Sequence, residues 1–357
     1  MIRINRNSKI YIACPAAFAT GGPELLHQLA HNLKRRLHID AAMFYFPENH
    51  PDPVHDSYKK YGTRRVNEIE DDANNILIVP EIEKGLSLFR RYDRIRKIIW
   101  WLSVDNFYNS DPGNIALFFG RLINKLYFMA AKKRLFDISS VAQSQARADM
   151  AGGNLKNKAT LKQADFHFVQ SFYAKKFLID GGMDPQKLFY LSDYLNEDFL
   201  RIKTDISKKR NAVAYNPLKG VFFTKKIMEA APGIEFVPLI NLTRKQMIET
   251  LKAVKVYIDF GSHPGKDRIP REAAMLFCYV LTNKRGSAGF FGDVPISDEY
   301  KFEDRKKNIA KIVGRIRESF DNSNGKSREF NNYRRMIKQE PKKFLDDLKK
   351  IFGGPRR

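Results

Sequence analysis

The chain has 357 residues, 43% of them hydrophobic, and its 63 Lys and Arg against 40 Asp and Glu give a formal net charge of +23. That length exceeds a typical single core and predicts two domains, while the charge calls for an anionic partner such as nucleotide phosphates, a polyanionic glycan, anionic lipid or nucleic acid. Two cysteines argue against a disulfide framework or a zinc site, and no apolar run matches a signal peptide or a membrane span, so the expectation is a cytoplasmic protein, soluble or attached only to a membrane surface.

Residues 9–14 read as a first buried strand, and residues 23–37 as a helix with Leu25, Leu26, Leu29, Ala30 and Leu33 at helical spacing. Between them lies Ala-Thr-Gly21-Gly22-Pro-Glu, whose glycine pair reads either as a tight turn or as backbone able to approach a bound group. His27 and His31 share one helix face, and without a carboxylate or cysteine partner they read as solvated surface histidines. Strands follow at 41–46, 75–79 and 97–102, in the βαβ rhythm of a parallel sheet. The stretch Trp100-Trp101-Leu102-Ser103-Val104-Asp105-Asn106-Phe107 closes the last of these, and Asp105 there reads either as a turn cap or as a carboxylate that could deprotonate an acceptor hydroxyl.

Residues 114–136 read as an amphipathic basic helix whose apolar stripe fits either a core or a membrane interface. Strands at 165–170 and 187–191 complete the first half, and the charged break at 204–211 reads as a linker. A second α/β series runs from residue 212 to 282, so the fold expected is α/β, with two doubly wound Rossmann-like domains facing across a cleft. The boundaries are 1–205 for an acceptor-side domain, 211–325 for a donor-side domain and 326–357 for a basic helical tail with Phe344, Leu345, Leu348 and Ile351 on its apolar face.

The chemistry concentrates in the second half. The strand predicted at 254–260 runs into Gly-Ser-His263-Pro-Gly-Lys266-Asp-Arg268-Ile-Pro and then a helix containing Glu272, an arrangement suited to an anion because side-chain charge adds to helix N-terminal N–H groups. Asn216-Pro-Leu-Lys219-Gly and Asn283-Lys284-Arg285-Gly286-Ser287 repeat the pattern after two other strands, and three cationic loops in one domain suggest a diphosphate site. Neither Gly-x-Gly-x-x-Gly nor a P-loop occurs, which argues against nicotinamide, flavin and P-loop chemistry, and no Asp-x-Asp metal motif is present.

These motifs resemble the two-domain GT-B glycosyltransferases, especially the large retaining family with a Glu-x7-Glu element. Gly21-Gly22-Pro23-Glu24 is similar to that family's N-terminal glycine loop, which implies contact with donor phosphate and acceptor. By the same resemblance Lys219 inherits a donor-diphosphate contact, Glu272 of Pro270-Arg271-Glu272-Ala273-Ala274 a hydrogen bond to the donor ribose, and Gly286-Ser287 the position of a further glycine loop. The chain departs from the pattern at three positions: Pro264 stands where the first Glu of the pair belongs, Ala214 where an Arg precedes the lysine, and Val104 where a His adjoins the N-domain Asp. The His-Pro-Gly-Lys-Asp-Arg run is similar to one in bacterial surface-polysaccharide proteins.

The resulting expectation is a metal-independent, cofactor-free transferase that moves a sugar from a nucleotide-activated donor to a glycan or lipid-linked acceptor. Lys219, His263, Lys266, Arg268, Glu272, Lys284, Arg285, Gly286 and Ser287 would bind donor, Gly21, Gly22 and Asn106 would line the acceptor side, and Asp105 would be the catalytic carboxylate. The basic surface would also contact anionic membrane. Two other readings stay open: a non-catalytic protein of the same fold that binds a nucleotide or anionic glycan, and a nucleic-acid-binding protein, for which no recognised module is present.

Overall fold

The structure is a computed structural model that describes residues 1–18, 20–115, 117–120, 123–124, 139–321 and 329–353. Most of the expected 114–136 helix therefore lies outside the described residues, as does the start of the expected tail. The chain divides into two compact units. One comprises the described residues of 1–123, 141–193 and 341–357, the other those of 124–140 and 194–340.

The first unit is built on a parallel sheet of β1 (Lys9–Pro15), β2 (Asp40–Phe46), β3 (Arg65–Val66), β4 (Ile76–Pro80), β5 (Arg96–Trp101), β6 (Phe166–Val169) and β7 (Leu188–Tyr190), in the order β3-β2-β1-β4-β5-β6-β7. Ile10, Ile12, Ile76, Ile78, Ile98, Ile99 and Trp100 are buried completely. Strands covered on both faces read as continuous apolar runs, which is why the expected strands fall within a residue or two of the observed ones. Because β2 and β4 flank β1 on opposite sides, the chain reverses direction across the sheet there, and the loops after β1 and β4 part to leave a crevice.

The second unit carries β8 (Arg210–Tyr215), β9 (Glu235–Pro238), β10 (Val254–Asp259), β11 (Tyr279–Asn283) and β12 (Lys301–Phe302), all parallel and ordered β12-β11-β10-β8-β9. Its own reversal lies between β8 and β10. The architecture is thus the expected α/β arrangement of two Rossmann-like sheets.

Three local expectations are corrected. Gly21 and Gly22 are the first residues of the Gly21–Leu37 helix and not a loop before it. His27 is not a solvated histidine: it is buried, its Nδ1 lies 2.7 Å from the Pro23 carbonyl oxygen and its Nε2 2.9 Å from the Tyr45 hydroxyl, and burial lowers its pKa. The reason is that this helix face packs on β2 and on the Tyr58 ring, 4.9 Å away, while His31 Nδ1 lies 2.7 Å from the Tyr61 carbonyl oxygen. Lys209, within the expected charged linker, is buried, and its ammonium donates to the Leu251 and Val254 carbonyls at 2.7 Å each.

The last helix, Asn331–Phe352, is continuous through Pro341, with the part before this proline in the second unit and the part after it in the first. Phe344 packs near Trp100 at 6.4 Å, Phe352 near Phe168 at 6.0 Å, and the Ile2 N–H donates to the Ile351 carbonyl at 2.7 Å. The apolar face expected for the tail is therefore core of the first unit.

Gly220 caps the Val221–Glu229 helix with φ 61°, and a Cβ there would lie 2.0 Å from the Phe260 carbonyl oxygen. Gly220→Ala should destabilise the protein by about 2–4 kcal/mol in denaturant melts, since left-handed strain adds to a backbone clash. A loss within a few tenths of a kcal/mol would contradict the close approach of the two loops.

Candidate functional site

At the β8/β10 reversal the loops after three strands interlock. Asp259 ends β10 and accepts hydrogen bonds from the Tyr257 hydroxyl at 2.8 Å and the Gly261 N–H at 2.9 Å. His263 follows, fully buried and with φ 47°. Its Nε2 lies 3.2 Å from the Asp259 carbonyl oxygen and 3.6 Å from the Asp259 carboxylate, while its Nδ1 lies 2.9 Å from Asp267 Oδ2, a close ion pair whose angle is poor for a hydrogen bond. Lys219, from the loop after β8, donates to the other oxygen of Asp267 at 3.0 Å. Two carboxylates, a histidine and a lysine thus alternate in one cluster, in which Asp259 and His263 are buried while Lys219 and Asp267 stay partly exposed.

The loop after β11 closes over them. Asn283 donates to the Gly261 carbonyl at 2.6 Å, the Ser287 N–H donates to the His263 carbonyl at 2.9 Å, and its hydroxyl donates to the Gly265 carbonyl at 2.6 Å. A Cβ at Gly286 would lie 2.1 Å from the His263 carbonyl oxygen, so only glycine fits that position.

Burial would lower the His263 pKa, yet Asp259 and Asp267 outweigh it and raise the value. Burial likewise opposes ionisation of Asp267, but Lys219 and His263 hold its pKa well below the usual carboxylate range. Asp259, His263 and Asp267 offer possible metal-ligand atoms within 4.8 Å of one another. The two imidazole nitrogens nonetheless face different carboxylates, and Lys219 stands in a cation's position. The geometry is that of an imidazole ring held between two carboxylates that favour its protonated form.

The other sequence-predicted donor residues divide by partner. Lys266 is nearly buried, with its ammonium 2.7 Å from Glu340, whose other oxygen lies 2.9 Å from the guanidinium of the fully buried Arg271. Arg271 also donates to the Lys266 carbonyl at 3.0 Å, so Glu340 clamps the loop. Arg268 lies in the first turn of the Arg268–Met275 helix and donates to the Tyr194 carbonyl at 3.2 Å. Glu272 is half-buried on that helix, close enough to the cluster to act with Asp259 and Asp267 on the buried Tyr257 hydroxyl, whose pKa burial chiefly raises. Exposed Lys284 and Arg285 lie 3.6 Å from Asp298 and 2.8 Å from Asp304 respectively. Burial raises the Asp304 carboxyl to about 6 despite its arginine partner.

In the first unit, a hollow of about 280 Å³ opens at the β1/β4 reversal. Pro15, Phe18, Leu26, Phe46, Pro80, Ile82 and Leu102 make it largely apolar, and Gly22 and Asn106 also line it. Asp105 is buried in the first turn of the Val104–Asn109 helix and is not among the lining residues; its charge helps raise the pKa of Tyr173, where burial is the larger cause. Glu81, directly after β4, does line the hollow although it is only 1% exposed, and it accepts a hydrogen bond from the Leu102 N–H at 2.9 Å. Sequence reasoning passed over Glu81. Its one signal is a charged residue directly after the fully apolar Ile76–Pro80 strand, at a strand's carboxyl end.

No protein-family model and no curated protein matches the sequence. Several solved structures do match the fold along almost the whole chain. Sucrose-phosphate synthase from Thermosynechococcus elongatus superposes with a TM-score of 0.63 at 10% identity, covering 97% of this chain and 98% of that one. Anabaena Alr3699/HepE in complex with UDP-glucose gives 0.56 at 12% identity over 96% and 99%, and the apo form of the lipopolysaccharide outer core galactosyltransferase WaaB gives 0.54 at 10% over 97% and 100%. At such identities the likeness is one of architecture. The chain has the GT-B glycosyltransferase fold.

Because the His263 pKa is raised on folding, its stabilising contribution is complete below the ordinary value of 6.5 and is lost as pH climbs through the elevated value. Asp267 acts oppositely: its contribution is present above the ordinary 3.8 and is lost as pH falls through the depressed value. Melting temperatures measured across pH should decline on the alkaline side for the natural chain and lack that limb in His263→Asn. Superimposable alkaline limbs would show that His263 is not an imidazolium in the fold.

Proposed function

We propose that this chain is a glycosyltransferase that moves a sugar from a nucleotide-activated donor to a glycan or lipid-linked acceptor in cell-surface polysaccharide synthesis. The observation that carries this reading is the meeting of three loops, after β8, β10 and β11, around the Lys219–Asp267–His263 cluster at a topological switch point, where open α/β sheets bind ligands. Support also comes from the fold it shares with HepE, whose structure contains UDP-glucose.

In this reading Lys219 exchanges its Asp267 partner for the donor diphosphate, and His263 keeps Asp267 neutralised when it does. Arg268, Lys284 and Arg285 add positive charge, Lys266 shapes the loop through Glu340, Gly286 and Ser287 hold its backbone, and Glu272 hydrogen-bonds the ribose. Preorganised cations stabilise the leaving nucleotide, so the reaction proceeds without a metal or other cofactor. Gly21, Gly22 and Asn106 belong to the acceptor side. Asp105, expected as the catalytic carboxylate, orients the acceptor from its buried place in the Val104–Asn109 helix. A second reading, a non-catalytic nucleotide- or glycan-binding protein of this fold, draws on Pro264 standing where the first Glu would touch the donor sugar.

The enzyme would act in the cytoplasm at the inner face of the membrane. Ile115, Phe118, Phe119 and Ile123 are exposed at helical spacing, and the sequence beside them carries Arg121 and Lys125, a combination that suits an anionic bilayer surface. Vesicles rich in phosphatidylglycerol should co-sediment the chain, and Phe118→Ser with Phe119→Ser should release it by about tenfold or more. Equal retention by phosphatidylcholine vesicles would argue against this contact.

A ligand that binds only the folded state raises the melting temperature, so a panel of nucleotides and nucleotide sugars tests the donor assignment directly. Stabilisation by one nucleotide class is expected, with affinity reduced about tenfold to a hundredfold by Lys219→Ala or Glu272→Ala. A panel in which no member shifts melting would remove the basis for a donor site. Binding without transfer or donor hydrolysis would favour the non-catalytic reading.

A further inference from the structure

Resting on the transferase reading, we propose that Glu81 takes the proton of the acceptor hydroxyl and that the hollow at the β1/β4 reversal receives an amphiphilic acceptor, one whose hydroxyl lies beside an apolar group. The walls carry the second part. Phe18, Leu26, Phe46, Ile82 and Leu102 surround a space too apolar to select a bare sugar, and Lys84 is the charged side chain that shares the lining with Glu81. Few polar groups in a mainly apolar hollow are what fix orientation in small-molecule sites.

Position carries the first part. Glu81 lies where the strand order reverses, between the loop after β1 and the loop after β5, and the Leu102 N–H fixes one carboxylate oxygen at 2.9 Å. Burial pushes its pKa up to about 7, against hydrogen bonds from the Leu102, Glu81 and Ser103 backbones and the Asn106 side chain that favour the charged form. A carboxylate so placed takes up a proton more readily than one in water. Asp105, by contrast, does not line the hollow.

In the reaction the acceptor O–H bond breaks and its proton passes to the Glu81 carboxylate as the oxygen bonds to the anomeric carbon. The bond from that carbon to the donor phosphate oxygen breaks, and the electron pair leaves with the nucleoside diphosphate. The protonated Glu81 then returns its proton to solvent after product departs. One displacement of this kind inverts the anomeric centre.

The test uses the full chain with octyl β-D-glucopyranoside as the amphiphile, methyl β-D-glucopyranoside as its control and UDP-glucose among a donor panel. The octyl glycoside should bind about tenfold or more tightly than the methyl glycoside, and Gly22→Leu, which fills the hollow, should abolish the difference. A Glu81 side-chain carboxyl signal in carbon-13 NMR should titrate near neutrality in the natural chain, move on addition of octyl glycoside and be missing in Glu81→Gln. That variant keeps an acceptor for the Leu102 N–H, so it should retain the donor-induced melting shift while kcat for transfer to octyl glycoside falls about a hundredfold or more, and the acidic limb of the natural pH profile should disappear. Equal binding of the two glycosides, full turnover by Glu81→Gln, or retention of anomeric configuration would each overturn the proposal. A chain that binds the octyl glycoside but no nucleotide sugar would instead defeat the transferase reading.

Discussion

Parallel pairing of β10 between β8 and β11 is the constraint on which the geometry of the second unit's loop cluster rests. The register sets Ile258 beside Tyr215 and Asp259 beside Thr282, so the loops leaving β8, β10 and β11 emerge at one edge within side-chain reach of each other. What they bury there is charge. The buried Asp259 and the partly exposed Asp267 are offset by His263 and Lys219, and removing any one member would unbalance the charge of the cluster. The cluster therefore ties the loop after β8 to the loop after β10.

Glu340 extends the same logic to the back of the loop. Its carboxylate holds both Lys266 and Arg271, and Arg271 in turn holds two loop carbonyls. Positive residues in the His-Pro-Gly-Lys-Asp-Arg run thus have different jobs although they read alike in sequence. Lys266 pairs with the nearly buried Glu340, whereas the partly exposed Lys219 pairs with Asp267.

The first unit solves the corresponding problem with apolar walls. Its switch point between β1 and β4 has Phe18, Phe46 and Leu102 where the second unit has lysine and arginine, and a single nearly buried carboxylate, Glu81, where the second has a balanced quartet. One crevice is chemically suited to a charged group, the other to an amphiphile.

The strands, the two α/β series and the cationic loops after β8, β10 and β11 were legible in the chain because buried parallel strands are short apolar runs and their loops are polar, both local properties. Residues whose roles depend on what another element brings were not: His27 is buried because the Gly21–Leu37 helix meets β2 and Tyr58, Lys209 because two carbonyls from Leu251 and Val254 converge on it, and Glu81 because the loops after β1 and β5 close around it. By itself the sequence determined the class of fold and the places where chemistry can occur, since periodicity and turn composition act over a few residues. Only the tertiary structure decided which charges are paired, which are committed to structure and which carboxylate lines a hollow. Burial and partnership are set by neighbours distant along the chain, and no local pattern encodes them.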